Sequence, residues 1–278
     1  MINLLRRAYH RVFYDRWIQQ RTMKNIVKAY SRRQKEFAAK VSGGLFNGDA
    51  LLQRLTPKIL GSTPIIRLGS FGDGGYYVPA EHLSFHKLVS LGVGSNVDFE
   101  LDLALRGITS YLFDGTIENL PIPHPKLLLS KKMIGLAEND ITIDQVLFES
   151  LNQFDPVYLS IDIEGAEWDA LSSSSLSDEN LSRIHWMVIE LHEIQNVYLT
   201  TTEGHKTREV LGRLLDNLVP IYLAPNNSAL PLRVGEKLLP PVVEVTLIRQ
   251  DFINPNLPRQ SMADNRCIDF LPIPTWPF

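Results

Sequence analysis

Four short apolar runs, Lys87 to Leu91, Ser110 to Phe113, Val157 to Ile161 and Trp186 to Ile189, each stop at or beside a glycine or a carboxylate: Gly92, Asp114, Asp162 and Glu190. Longer helical patterns separate them. Short β-rich runs alternating with helical stretches specify successive βα units, and therefore an α/β fold with a doubly wound, mainly parallel sheet. That fold also constrains where chemistry occurs. In an open α/β sheet, ligands lie beyond the carboxyl ends of the strands, so acids at strand ends face a cleft rather than the core. The densest group is Asp162, Glu164 and Glu167, in Ser160-Ile161-Asp162-Ile163-Glu164-Gly165-Ala166-Glu167-Trp168. These acids could instead sit in a solvated turn and favour the N-terminus of the next helix. Recurrence of the pattern at the other strand ends favours the cleft, with Asp162 and Glu164 as the functional candidates and Glu167 as the residue that opens the following helix.

The chain of 278 residues is 44% hydrophobic, enough to bury one large core. Its single cysteine, Cys267, excludes an internal disulfide framework and a cysteine-rich zinc site, so a cytoplasmic setting is expected. Charge is unevenly placed: residues 1 to 40 carry eleven Lys or Arg against Asp15 and Glu36, a balance of +9, which leaves −12 for the rest of a chain whose total is −3. This basic segment has helical periodicity, with Met23, Ile26, Val27, Tyr30 and Phe37 near one face and Arg21, Lys24, Lys28, Arg32 and Lys35 largely on others. It either packs on its own domain or lies peripherally on an anionic membrane. No apolar stretch approaches the length needed to span a bilayer. No nucleic-acid partner is expected. The glycines of Ser42-Gly43-Gly44 and Asn47-Gly48 place a boundary near residue 45, and the prolines from Pro255 to Pro277 mark an extended tail. The expected organisation is a helical extension over 1–45, the main domain over 46–252 and a proline-rich tail over 253–278.

The turn Leu91-Gly92-Val93-Gly94-Ser95-Asn96 follows a strand and leads into a helical pattern that ends at Gly107. Asp114 closes the next strand 22 residues after Gly92, close to the spacing of about 20 at which an acid meets a ribose hydroxyl. Gly92, Gly94, Ser95 and Asp114 are therefore the first cofactor-binding candidates. A dinucleotide fingerprint would need a third glycine where this chain has Val97, and no phosphate-cradling Gly-x-x-x-x-Gly-Lys-Ser/Thr motif is present. A ribose-bearing cofactor without a pyrophosphate, whose positive sulfonium tolerates acidic neighbours, is S-adenosylmethionine. The glycine-rich segment Arg67 to Pro79 reads as an ordinary hairpin. After residue 218, Pro220 to Ala224 and Val242 to Ile248 read as two antiparallel strands at a sheet edge, joined by a proline-containing loop.

These residues carry a family resemblance. Leu88 to Glu118, Asp73-Gly74-Gly75-Tyr76, Ser160 to Glu167 and Ile189-Glu190-Leu191-His192 together resemble the FkbM family of class I methyltransferases, and Pro225-Asn226-Asn227 followed by Val243-Glu244-Val245-Thr246 is similar to the C-terminal pattern of some members. The likeness covers roughly residues 60 to 250, and its one small departure is Gly115, where relatives commonly have proline. It implies a seven-stranded, Rossmann-like sheet with one antiparallel strand. Gly92 and Gly94 would back the methionine part of S-adenosylmethionine, Asp114 would hold the ribose, and Glu138 or Asn139 would contact adenine, with Asp162 bordering the cofactor. It also implies an O-methyltransferase acting on a hydroxyl, with a sugar in a polysaccharide or glycolipid as the acceptor class.

Methyl transfer to oxygen needs positioning and either a base or a metal to remove the hydroxyl proton. Asp162, Glu164, Glu190 and His192 are the catalytic candidates. His192 suits a general base or a hydrogen-bonded structural role. Asp162 with Glu190 could hold Mg²⁺ through hard oxygens, although no motif requires a metal. Asn226 and Asn227 could bind acceptor hydroxyls or simply form a turn. The rival reading is a catalytically silent module that keeps the fold and serves as a scaffold recruited to a membrane or an assembly; a nicotinamide oxidoreductase is a third.

Overall fold

The computed structural model describes residues 24–58, 64–71, 74–226 and 230–252. The first 23 residues of the expected extension, the tail from residue 253, and Asp73 and Asn227 lie outside the described residues.

Eleven strands are present among the described residues: β1 (Ile65–Gly69), β2 (Gly75–Pro79), β3 (Lys87–Leu91), β4 (Thr109–Phe113), β5 (Leu127–Ser130), β6 (Val157–Ile161), β7 (Ile184–His192), β8 (Leu218–Pro225), β9 (Leu232–Val234), β10 (Lys237–Leu239) and β11 (Val242–Arg249). Seven of them form the central sheet in the order β5-β4-β3-β6-β7-β11-β8. Neighbours from β5 to β7 pair in parallel, and β11 runs antiparallel between β7 and β8. The parallel strands are buried on both faces, which is why they read as nearly continuous apolar runs. Successive side chains alternate between the faces: Leu88 and Val188 enter one core cluster, Val89, Met187 and Ile189 the other.

Helices cover both faces. They are α1 (residues 24–40), α2 (Asp49–Gln53), α3 (Asp98–Leu105), α4 (Ile143–Ser150), α5 (Glu167–Ala170), α6 (Asp178–Ser182) and α7 (Thr202–Asn217). In α4 the Thr142 hydroxyl and the Gln145 side chain form a reciprocal capping box, and Ile143, Val146, Leu147 and Ser150 are buried at the spacing of one helical face. The β1–β2 hairpin packs with α3 on one face, where Leu68, Tyr76 and Phe99 share a core cluster. The described part of the basic helix packs on the domain. Phe37 belongs to the larger core cluster, Tyr30 packs against it, and the Gln34 amide bonds both backbone groups of Arg233 at the start of the small β9–β10 hairpin. No helix among the described residues is long and apolar enough to cross a membrane.

Three features depart from the sequence reading. The third sheet strand, β5 (Leu127–Ser130), was not recognised, because it follows a stretch punctuated by Pro121, Pro123 and Pro125 and ends at Lys131 and Lys132 instead of at a glycine or a carboxylate. The connection between β8 and β11 contains the β9–β10 hairpin. Finally, β7 runs on to His192 instead of ending at Ile189, so Glu190 and His192 stand within a strand. Main-chain pairing explains the extension: β11 continues the ladder with Glu244 opposite Glu190 and Val242 opposite His192, and a backbone ladder is indifferent to the charge that ended the apolar run.

Candidate active site at the carboxyl ends of the sheet

The β3–α3 turn is built by glycine. Gly92 has φ +76, and a β-carbon there would lie 1.8 Å from the carbonyl oxygen of Asp162, so the first and fourth parallel strand ends approach too closely for any side chain. Gly94 also has positive φ, +56, but open space lies where its β-carbon would project. Asp114, at the end of β4, fastens this turn. Its Oδ2 accepts the amides of Val93 and Gly94 at 2.9 and 2.8 Å, and its Oδ1 accepts the amide and hydroxyl of Thr116 at 2.7 and 2.6 Å. Burial alone would raise the Asp114 pKa, but the bonds from Thr116 and the turn amides hold it below the ordinary value.

A cavity of about 380 Å³ opens over these strand ends. Gly92, Gly94, Ser95 and Asp114 form one wall, and Asp162 and Glu164 another. The hairpin segment also contributes, through Gly74 and Tyr76. Glu138 and Asn139 are exposed and lie outside the lining; the same connection presents Lys132, Met133 and Ile134 instead. The family resemblance suggested those two polar residues, but the chain turns back at the Ile134–Ile141 bridge and leaves them outside the cavity lining.

On the other side, side chains from three elements converge on His192. Glu167 does open α5, as its sequence position suggests, yet its side chain is fully buried. Its Oε1 accepts the amides of Ile163 and Gly165 at 3.2 and 3.1 Å and lies 3.0 Å from His192 Nδ1. His192 Nε2 lies 3.6 Å from Oε2 of Glu164, which is 87% exposed and held at φ +54. The indole N–H of Trp168 donates to the His192 carbonyl at 2.7 Å. Glu190 is buried, and its Oε2 accepts from the Asn226 amide at 3.0 Å. Burial would lower the His192 pKa, but the hydrogen bond and charge of Glu167, followed by the charges of Asp162 and Glu190, push it up to about 9. Tyr76 is driven upward by burial and by the charges of Asp162 and Glu190. Glu167 is thus the site residue that sequence reasoning passed over. An acid in a first helical turn is ordinarily a solvated partner of the helix dipole, and only the buried Trp168 beside it hinted otherwise.

Asp162, Glu167 and His192 each bring one potential donor atom within 4.8 Å of the others. This grouping omits Glu190, which the sequence paired with Asp162 for Mg²⁺. Two of these three groups, Glu167 and His192, are already bonded to each other at 3.0 Å, and no metal is assigned.

The sheet order, with a single antiparallel strand next to one edge and a glycine turn and acid after the first two parallel strands, defines a class I methyltransferase fold. The family model of the methyltransferase FkbM domain matches residues 73–216, just over half of the chain. The protein belongs to the FkbM methyltransferase family. Among solved structures, it is similar to a mutant of the 16S rRNA (adenine(1408)-N(1))-methyltransferase from Catenulisporales acidiphilia, with 11% identity, a TM-score of 0.29, and coverage of 68% of this chain and 99% of that one. The fold assignment rests on the strand order and not on this likeness. No match was found among curated proteins.

Proposed function

We propose that the protein is an S-adenosylmethionine-dependent O-methyltransferase whose acceptor is a hydroxyl of a sugar or glycan-like molecule. The observation that carries the cofactor reading is the Asp114-fastened glycine turn facing a cavity of about 380 Å³. The residues present fit the group. Gly94 leaves open the space that a side chain would fill, Asp114 offers a carboxylate at ribose spacing, and Phe113, Met133 and Ile134 supply an apolar wall for a base. All four acceptor positions of Asp114 are used within the protein; the Thr116 hydroxyl, free to rotate, is the donor that can yield to a ribose hydroxyl. When bound, S-adenosylmethionine supplies a methyl group activated by a sulfonium. The acids Asp162, Glu164 and Glu190 favour a cationic cofactor electrostatically and disfavour anionic acceptors, which supports a neutral polyol. Asn226, which donates to Glu190, is the candidate for meeting acceptor hydroxyls in this reading.

Titration calorimetry with S-adenosylhomocysteine tests the cofactor assignment. Binding in the micromolar range is expected for the native protein, and roughly 100-fold weaker binding for Asp114→Ala, which loses charge-assisted bonds. Absence of heat with the native protein refutes it. Methyl transfer from labelled S-adenosylmethionine to a panel of glycans tests the acceptor class.

A further inference from the structure

His192 is gripped at both ends by consecutive residues of α5. Glu167 holds the ring through Nδ1, and Trp168 holds the main chain by donating to its carbonyl. Glu167 is itself fixed by the amides of Ile163 and Gly165, in the same turn that carries Asp162 and Glu164. The imidazole is therefore registered against the strand end that walls the cavity, with Nε2 turned toward Glu164, one of the cavity's lining residues. A buried carboxylate on one ring nitrogen fixes an imidazole's tautomer and orientation for accepting a proton at the other, which here lies 3.6 Å from the cavity-lining Glu164.

We propose that Glu167 is the positioning residue of a Glu167–His192 dyad in which His192 Nε2 takes the proton of the acceptor hydroxyl. The inference rests on the methyltransferase reading and extends it to a residue that does not touch the substrate. In the step, the acceptor oxygen forms its bond to the methyl carbon as the carbon–sulfur electron pair returns to sulfur, and the hydroxyl proton passes to Nε2. His192 must be neutral to accept it. The charged groups facing the ring are Glu167 from α5, Asp162 from the end of β6, Glu164 from the turn between them and Glu190 on β7 itself; β11 places apolar Val242 opposite. All four are acids, so the dyad works on the alkaline side of neutrality.

The test is an NMR titration of histidine ring signals in the full-length, cofactor-free protein, with His192 assigned by its loss in His192→Gln. The native His192 signal is expected to titrate at about 9. Glu167→Gln should bring it down to the ordinary histidine range or below, because burial then acts with less opposition. Glu164→Gln should leave it close to the native position, since the Glu164 side chain is 87% exposed and its charge is screened by solvent. A native His192 titrating at or below the ordinary value overturns the proposal even if Glu167→Gln does not fold, and so does a Glu167→Gln protein with an unmoved titration. In turnover assays, the rise of kcat/KM with pH should follow the same titration, and Glu167→Gln should lose roughly 100-fold in kcat with little change in KM. A kcat/KM that does not vary with pH while His192 titrates removes the catalytic role. If S-adenosylhomocysteine does not bind in calorimetry, the methyltransferase reading fails, while the titration still decides whether Glu167 holds the imidazole.

Discussion

Two polar clusters at the carboxyl ends of the sheet are built by different rules. In the first, Asp114 reaches amides of the Gly92–Gly94 turn, so one strand end ties down the turn that leaves its neighbour, and the carboxylate is satisfied largely by backbone. In the second, which lies behind the Asp162–Glu164 wall of the cavity, Glu167, His192, Glu190 and Asn226 come from α5, β7 and the loop after β8 and meet through side chains, with one imidazole set among several acids. The first arrangement depends on short spacings in the chain. The second depends on the sheet bringing distant segments together, and its charge balance changes with pH.

The contrast can be broken most directly at Gly92. Alanine there would adopt a left-handed backbone with its β-carbon 1.8 Å from a carbonyl oxygen. We expect a loss of roughly 3 kcal/mol, read by thermal melting as a Tm lower by about 10 °C, together with loss of S-adenosylhomocysteine binding. A Gly92→Ala protein of native stability would show that the strand ends are not locked at this point.

Next in size is the pH dependence of the His192 cluster. The folded-state pKa of His192 is raised from 6.5 to about 9, so protonation of His192 is linked to folding. Its stabilising contribution is fully present below the unfolded value of about 6.5 and is lost as pH rises through about 9. The native protein should therefore lose stability between those pH values, by chemical denaturation, relative to His192→Gln. Parallel stability curves for the two proteins would dissolve the ion pair.

A smaller effect concerns the loop residues. Glu138→Ala with Asn139→Ala should change S-adenosylhomocysteine affinity by less than about twofold, because neither side chain lines the cavity. A calorimetric loss near tenfold would bring the loop back into the site. The smallest expected effect is at α1, whose Lys24, Lys28, Arg32 and Lys35 line one open face while Phe37 and Gln34 dock on the domain. Each of these charges should add about 1 kcal/mol at most to binding of vesicles rich in anionic lipid. Flotation that is equal for the native protein and for a variant with all four changed to Gln would remove membrane contact by this face.

Much of the fold was legible because its signals are local. Strands β3 and β6 fall on the expected residues, Gly107 follows the end of α3, and the edge pair β8 and β11 runs antiparallel as expected. Asp114 and the glycine turn were legible too, since about twenty residues of one βαβ unit fix their distance. Glu167 was not. Its position announces a helix start, whereas its burial follows from the way α5 folds back over β7, and no spacing within the segment reports that contact. Glu190 and His192 were thought to lie beyond a strand, because apolarity was used to find its end and backbone pairing with β11 decided it. Asn226 read as either a turn residue or an acceptor contact, and its bond to Glu190 was not visible in the sequence.

By itself, then, the sequence determined the layer order, the parallel sheet and the glycine–acid unit, because periodicity and short-range spacing are properties of the chain before it folds. The tertiary structure alone decided that a helix-opening glutamate is buried against the imidazole of a distant strand and that four acids share one histidine. Those are contacts between segments whose separation along the chain carries no information about their distance in space, and the low-dielectric interior in which they meet does not exist until the sheet is closed over.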